Sequence, residues 1–432
     1  MVERLLDLSR RQAQAAEVHL EESESRPVQF ENNELKYVHT KSQRAISLRI
    51  IRDGRIGFAS STDLSQPEAL VERAVVSSRF AQEAKFSFPS AMPLPKVAVY
   101  DPRVADFPVE RGIELGREAI SRVLAEFPDV LCGVVVSKAV ARSRLANTSG
   151  LDVRTEATGF DSDLSVLRVC DDGLLWVGDG ESSRSLVADF DRYCAKVISD
   201  IRRSETECDA PTGEYPVLFT AKAVELLVSI FQAMVNGKIV QKGASALGGC
   251  LGERILDERI TLCDDGTRDY GDGSSPCDGE GIPCRRTVVV ERGVLRSFLF
   301  DLQTAGVLGG QTTGNAARGF ASQPHPDATN LVVEAGTDRY EDLLAGIERG
   351  LLVDEVLGGG QSNLLAGEFS VNVGLGFLVE RGEIVGRVKD CMIAGNVLEI
   401  FNRLRGVGSQ RETHGSIVAP PICFDAIAVA GG

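Results

Sequence analysis

Pro276-Cys277-Asp278-Gly279-Glu280-Gly281-Ile282-Pro283 is an acidic glycine loop bounded by prolines, and it leads into Arg286-Thr287-Val288-Val289-Val290. The β-branched residues of that second run favour a pleated strand. Glu291-Arg292-Gly293-Val294-Leu295 carries the polar-glycine turn of a hairpin, and the apolar run Ser297-Phe298-Leu299-Phe300-Asp301 follows. The stretch closes on Thr312-Thr313-Gly314-Asn315. Glycines let an extended peptide approach a sheet, and Asn can pair with a peptide amide. Asp278, Gly279, Glu280, Gly281, Thr313, Gly314 and Asn315 are therefore candidate substrate contacts. The same residues also suit tight turns between strands, and that alternative stays open. Asp278 and Glu280 as an acid/base pair lack a fixed geometry, because positions i and i+2 on a loop impose none.

Glycine stays dense around this stretch, at Gly248-Gly249, Gly309-Gly310 and Gly358-Gly359-Gly360. In strands that density implies bulges, tight corners and close backbone approach, so a coiled or partly closed antiparallel sheet is expected. Towards the N-terminus, residues 4–20 carry leucine and alanine at helical spacing, which predicts an amphipathic helix. Strands are expected at Val28–Glu31, Arg44–Arg52 and Arg55–Ser60, with Asp53-Gly54 as a two-residue hairpin turn. A helix over Pro67–Ala84 completes an α+β domain at 1–86. Phe88–Pro95, rich in Pro, Ser and Ala, reads as a linker. A middle α+β segment at 96–208 holds a helix at Val109–Phe127, strands at Val130–Ser137, Ala139–Asn147 and Gly150–Asp161, and a helix at Ser182–Arg203. Asp209-Ala210-Pro211-Thr212-Gly213 breaks the pattern and opens a β-rich domain at 213–432. The fold class is α+β, a helix–sheet portion followed by a glycine-rich, mostly antiparallel β domain.

The chain has 432 residues, 43% hydrophobic and 25% charged, and a net charge of −15. Such an acidic chain repels polyphosphate, and Arg202-Arg203 and Arg285-Arg286 are short pairs beside acidic residues, so no direct nucleic-acid binding is expected. No apolar run reaches the roughly 20 residues of a membrane span, and Met1–Asp7 has no signal-peptide pattern. A cytoplasmic protein with no membrane contact is expected. The ten cysteines are scattered. Cys277 and Cys284 have six residues between them, an unusual spacing for structural zinc, and with Cys263 they read as incidental thiols. Asp264–Gly273 looks superficially like a calcium loop but has Ser275 or Pro276 where the closing glutamate belongs, so a solvated acidic loop is expected. There is no Gly-x-Ser-x-Gly, and neither Gly306–Gly310 nor Gly358–Gly360 has dinucleotide-binding spacing.

The loop–hairpin–loop order at 276–315 resembles the C-terminal domain of the TldD/PmbA family, cytoplasmic proteins linked to zinc-dependent peptide hydrolysis. Ile51-Arg52-Asp53-Gly54-Arg55-Ile56-Gly57-Phe58-Ala59-Ser60-Ser61-Thr62-Asp63-Leu64-Ser65 resembles a stretch shared by both branches of that family. The resemblance places a metal-binding His-Glu-x-x-x-His helix at Ala221–Asn236. Two imidazoles about a turn apart can ligate one zinc ion, and the glutamate can take a proton from its water. With Gly237, Lys242-Gly243-Ala244-Ser245 and Gly252-Glu253 fixing the register, the two histidine positions fall on Val228 and Ala233. The glutamate falls on Ser229, and the later acidic position lies near Asn236. Val and Ala have no lone pair to donate, and Ser229 is too weak a base.

The loop that supplies a cysteine ligand in the catalytic branch reads Gly406–Ser416 here, without cysteine. His19, His39, His325 and His414 are far apart in sequence, and only His414 lies in that loop. The resemblance thus implies a member of the PmbA/TldE branch with no metal or cofactor of its own. It would pair with a TldD-like catalytic subunit that carries zinc, or with itself as a dimer, and act on unfolded or extended peptides. Ser245 and His414 join the candidate cleft residues on this basis. Two alternatives remain: a homodimeric peptide-binding scaffold without activity, and an enzyme using another metal or a cysteine, with Cys391 and His414 as its candidates.

Overall fold

The computed structural model describes residues 1–170, 173–358 and 362–431, so Gly359 and Gly360 of the glycine run lie outside the described residues. Residues 4–20 are not one helix. α1 is Val2–Ser9, and after a turn the chain enters the long strand β1, Ala15–Glu31. Period-two burial prevails over helical propensity. Ala16 and Val18 point into a core under α1, while Glu17 faces the other side of the sheet. β2 (Glu34–Val38), β3 (Lys41–Arg52) and β4 (Arg55–Ser61) follow. Asp53 and Gly54 turn the β3–β4 hairpin with φ of 50° and 74°, the left-handed pair expected of a two-residue turn.

α2 (Pro67–Ser78) stops six residues short of Ala84, and a four-residue helix α3 (Pro102–Ala105) precedes α4 (Val109–Glu126). β5 (Leu131–Asn147) and β6 (Asp152–Cys170) are single long strands rather than shorter pieces. β7 (Gly173–Ser183) was not anticipated, and the helix expected from Ser182 begins only at Phe190, as α5 (Phe190–Arg203). The sheet order is β4-β3-β1-β5-β6-β7, with β2 also on β1. Because β1 pairs with β5, segments 1–86 and 96–208 share one sheet. The linker between them is irregular but anchored, since Phe88 is buried.

β8 (Glu207–Cys208) and β9 (Gly213–Phe219) open the second half, followed by α6 (Ala221–Val235). Here Gly213–Phe219, Ile422–Gly431, Cys391–Asn396, Glu368–Glu380 and Arg349–Leu357 pair in turn, and the last pairs back to Gly213–Phe219. This is the closed, mainly antiparallel sheet that the glycine density predicts. α6 packs its Val224, Leu227, Val228 and Phe231 into that half's core. A second core joins the halves, with Val134, Phe160 and Leu164 of the first sheet beside Leu352, Phe377 and Cys423 of the barrel.

Close backbone approach can be tested at Gly306, in the short helix Leu302–Leu308. A Cβ there would lie 1.9 Å from the carbonyl oxygen of Lys85. Helix propensity favours alanine by about 1 kcal/mol, but overpacking costs about 1–3 kcal/mol, so Gly306→Ala should lower stability. Gly249→Ala, with no atom within 4 Å of its Cβ, should shift a urea unfolding midpoint little.

Candidate functional site

One face of the first sheet is covered by helices, and the other carries polar side chains towards the second half. On that face β1, β5 and β6 align His19 with Leu145 and Val153, and Glu21 with Ser143 and Thr155. Loops carrying Ser274, Cys277, Asp278, Asn315 and Arg318 close over these rows and leave a cavity of about 330 Å³. Further along the same face, Asp161 and Asp163 of β6 and Gly178 and Gly180 of β7 border a second cleft of about 640 Å³. Its far wall is Lys222 and Glu225 of α6, together with His414–Ile417.

The two candidate loops meet at the first cavity. Asp278 Oδ1 accepts from the amides of Glu280 (2.8 Å) and Ile282 (3.0 Å), and its Oδ2 accepts from Ala316 N (3.0 Å). Gly279 N donates to Ala316 O at 2.7 Å. A Cβ on Gly279 would stand 2.8 Å from Arg318 Cβ, so this glycine serves the approach of one loop to the other. Gly281 and Gly314 have φ of 80° and 78° and shape the turns. Thr313 Oγ1 accepts from Phe300 N at 2.7 Å. Asn315 Nδ2 donates to Asp264 Oδ2 (2.6 Å) and Asp327 O (3.2 Å), while its Oδ1 has no partner. Asp278, Gly279 and Asn315 thus line the cavity, whereas Gly281, Thr313 and Gly314 do not line it and serve the turns of the two loops.

Two candidates lie elsewhere. Ser245 Oγ donates to Met234 O at 2.6 Å near the end of α6 and lines neither cavity. Glu280 is fully buried and does not line the cavity, because its carboxylate turns into an ionic cluster. Its Oε1 accepts from Arg49 Nη1 (2.6 Å), and its Oε2 from Leu302 N (2.7 Å). Arg49 also donates to both oxygens of Glu17 at 3.2 Å, and Arg318 Nη2 donates to Glu17 Oε1. This cluster ties β1 and β3 to the acidic loop of the second half, and sequence reading missed Glu17, Arg49 and Arg318.

Burial dominates the titration here. It raises Asp278 and Glu280 above the usual carboxylate range, Glu280's charge adding to the shift at Asp278 and Arg49 opposing it at Glu280. Asp264, expected on a solvated loop, is buried and pushed up to about 6, because the strand Leu262–Asp265 runs inside its sheet. A carboxyl raised in the folded state stabilises the fold fully below its unfolded value of about 3.9, and that contribution is lost as pH rises through 6. Between pH 4 and 7 the wild type should therefore lose on the order of 1–3 kcal/mol more stability than Asp264→Asn. Urea midpoints across that range measure the difference.

The second cleft is acidic, with Asp163 pushed up to about 6 by burial. Lys222 Nζ donates to Glu355 Oε2 (2.8 Å) and Gly178 O (3.2 Å). His414 sits here, its Nε2 3.5 Å from Glu412 Oε2. On α6, Val228 is 3% exposed and belongs to the core, Ser229 is exposed and Ala233 is half-buried. Asn236 donates to Pro326 O at 2.6 Å. Among the described residues, no three His, Cys, Asp or Glu side chains form a metal-holding group. These residues do not fit a zinc ion, since Val and Ala offer no donor atom and Asn236 is engaged. A Cys391–His414 pair also fails. Cys391 lines neither His414's cleft nor the cavity behind it, and burial pushes its thiol up to about 11.

Residues 212–431 match the family described as PmbA/TldA metallopeptidase C-terminal domain, and residues 16–78 match PmbA/TldA metallopeptidase domain 1. The chain is 28% identical to an uncharacterised protein of Methanocaldococcus jannaschii over 98% of both sequences. It is 23% identical to a Haemophilus influenzae protein named metalloprotease PmbA homolog, over 99% of this chain and 94% of that one. The crystal structure of TldE from Thermococcus kodakarensis shares the fold, with a TM-score of 0.91 at 24% identity and 99% of each chain covered. On the family match across the second half and much of the first sheet, the chain belongs to the PmbA/TldD metallopeptidase family.

Proposed function

We propose that this chain is the zinc-free subunit of a two-chain peptidase, paired with a TldD-type subunit that carries the metal and acting on unfolded or extended peptides. The observation that carries this reading is α6, which has Val228, Ser229 and Ala233 where the catalytic branch would need two histidines and a glutamate. The chain would wall the substrate cleft and hold peptide by strand addition. β7 supports this role, because it is the terminal strand of its sheet and its Trp176, Gly178 and Gly180 border the acidic cleft. All ten cysteines are free thiols, which suits a reducing cytoplasm. No helix among the described residues is long and apolar enough to cross a membrane. Elemental mass spectrometry on protein purified without chelators or an affinity tag tests the reading. Zinc far below one ion per chain is expected, and one ion per chain would overturn it.

A further inference from the structure

We propose that the cavity between the first sheet and the two loops binds a small molecule carrying a carboxylate beside an N–H donor, the chemistry of an amino acid or a peptide's carboxyl terminus. Two enclosed side chains carry the argument. Arg318 lines the cavity with its side chain 2% exposed. One nitrogen, Nη2, reaches Glu17, but Nε and Nη1 have no partner. Asn315 is 2% exposed and turns its amide nitrogen to Asp264 and Asp327, which leaves Oδ1 without a donor. Arg184, on the same wall, also has an unpartnered Nε. Unpaired buried donors and acceptors are unfavourable, so a site holding both kinds favours a ligand that supplies both complements.

The acids already present do not satisfy these arginines. Asp278 is occupied by three backbone amides, and Asp327 Oδ1 accepts from Gln232 Nε2 and Ala328 N. At the exposed rim Arg142 pairs with Glu156. Burial and Arg318 push His19 down to about 4, so at neutral pH it brings no competing positive charge. Glu21, across the cavity on β1, is placed to take the ligand's N–H. A volume of about 330 Å³ accepts a dipeptide-sized molecule and excludes a folded chain.

This inference concerns a cavity formed by this chain alone, so its test needs no catalytic subunit and stands apart from the proposed pairing. The probes are N-acetyl-Ala-Ala with a free carboxylate and the same dipeptide as its amide, titrated calorimetrically at pH 7. The acid should bind at least about tenfold more tightly, the advantage of one charge-assisted hydrogen bond to a buried guanidinium. Arg318→Lys keeps a cation beside Glu17 but replaces the fork by a single nitrogen already held by Glu17, with no second nitrogen to meet a carboxylate, and should largely erase that advantage. Ser143→Phe fills the cavity from the sheet side without touching the ionic cluster and should abolish binding. If Arg318→Lys fails to fold, Ser143→Phe decides alone. Equal affinity for acid and amide, binding of neither, or acid binding that survives Ser143→Phe would overturn the proposal. Inorganic phosphate binding more tightly than the acid would overturn the carboxylate assignment.

Discussion

Arg49→Met is expected to lower stability by about 3–5 kcal/mol, the scale of breaking a buried ion pair by removing one partner. The Arg49 side chain is 4% exposed, and those of Glu17 and Glu280 are fully enclosed. Its guanidinium lies 4.8 Å from the Phe86 ring centroid and 5.1 Å from that of Phe88, which adds a cation–π contribution where water is excluded. With methionine at 49, Arg318 still answers Glu17, but Glu280 keeps only the amide of Leu302. An uncompensated carboxylate would then sit in the junction between the halves. Urea unfolding followed by circular dichroism measures the loss. A double variant with Glu280→Gln should recover at least about 1 kcal/mol, because it removes the stranded charge. A loss below 1 kcal/mol for the single variant would mean that the cluster is hydrated and does not fasten the halves.

That cluster also marks where the sequence stops being readable. Arg49 is 32 residues from Glu17 and 231 from Glu280, and Arg318 is 301 from Glu17. No local pattern joins such positions, and only the β1–β3 register with the folded acidic loop brings them together. Local chemistry was legible where it was strong. The Asp53-Gly54 turn, α4 and the apolar helix α6 fall within a residue or so of expectation, and the glycine-rich half does close its sheet. The end of β1 was expected as the strand Val28–Glu31, but its first part was hidden because Leu5, Leu6 and Ala16 mimic helical spacing across the turn that separates α1 from the strand. β7 was hidden because glycine and charge interrupt its alternation, and pairing to β6 supplies what propensity does not. At the site, loop chemistry singled out Asp278, Gly279 and Asn315 one by one, and the fold is what gathers them around one cavity. It misjudged Glu280, since a carboxylate in a glycine loop looks exposed until its arginine is known.

Mixed with a chain that carries the His-Glu-x-x-x-His helix, this protein is expected to support hydrolysis of a reduced, carboxymethylated protein, roughly a thousandfold or more above its own rate. On the pairing proposed above, the zinc-bearing chain supplies what this one is not expected to provide alone. Attack on a peptide bond near neutral pH needs an activated water, and a zinc ion supplies one by lowering the water's pKa to about 7. Here α6 buries Val228 in its core, and His414, whose Nε2 lies 3.5 Å from Glu412 Oε2, belongs to no metal-holding group of three His, Cys, Asp or Glu among the described residues. Burial pushes the thiols of Cys391 and Cys423 up to about 11 and about 12, which disfavours the nucleophilic thiolate of both at pH 7. What the chain can offer is an edge: β7 ends its sheet beside an acidic cleft, and an added strand needs an unfolded segment to pair with it. The same protein left folded should therefore resist the mixture. Peptide fragments counted by mass spectrometry distinguish the cases. Cleavage of the folded form would remove strand addition from the mechanism, and no cleavage by the mixture would leave a peptide-binding homodimer as the better account of this chain.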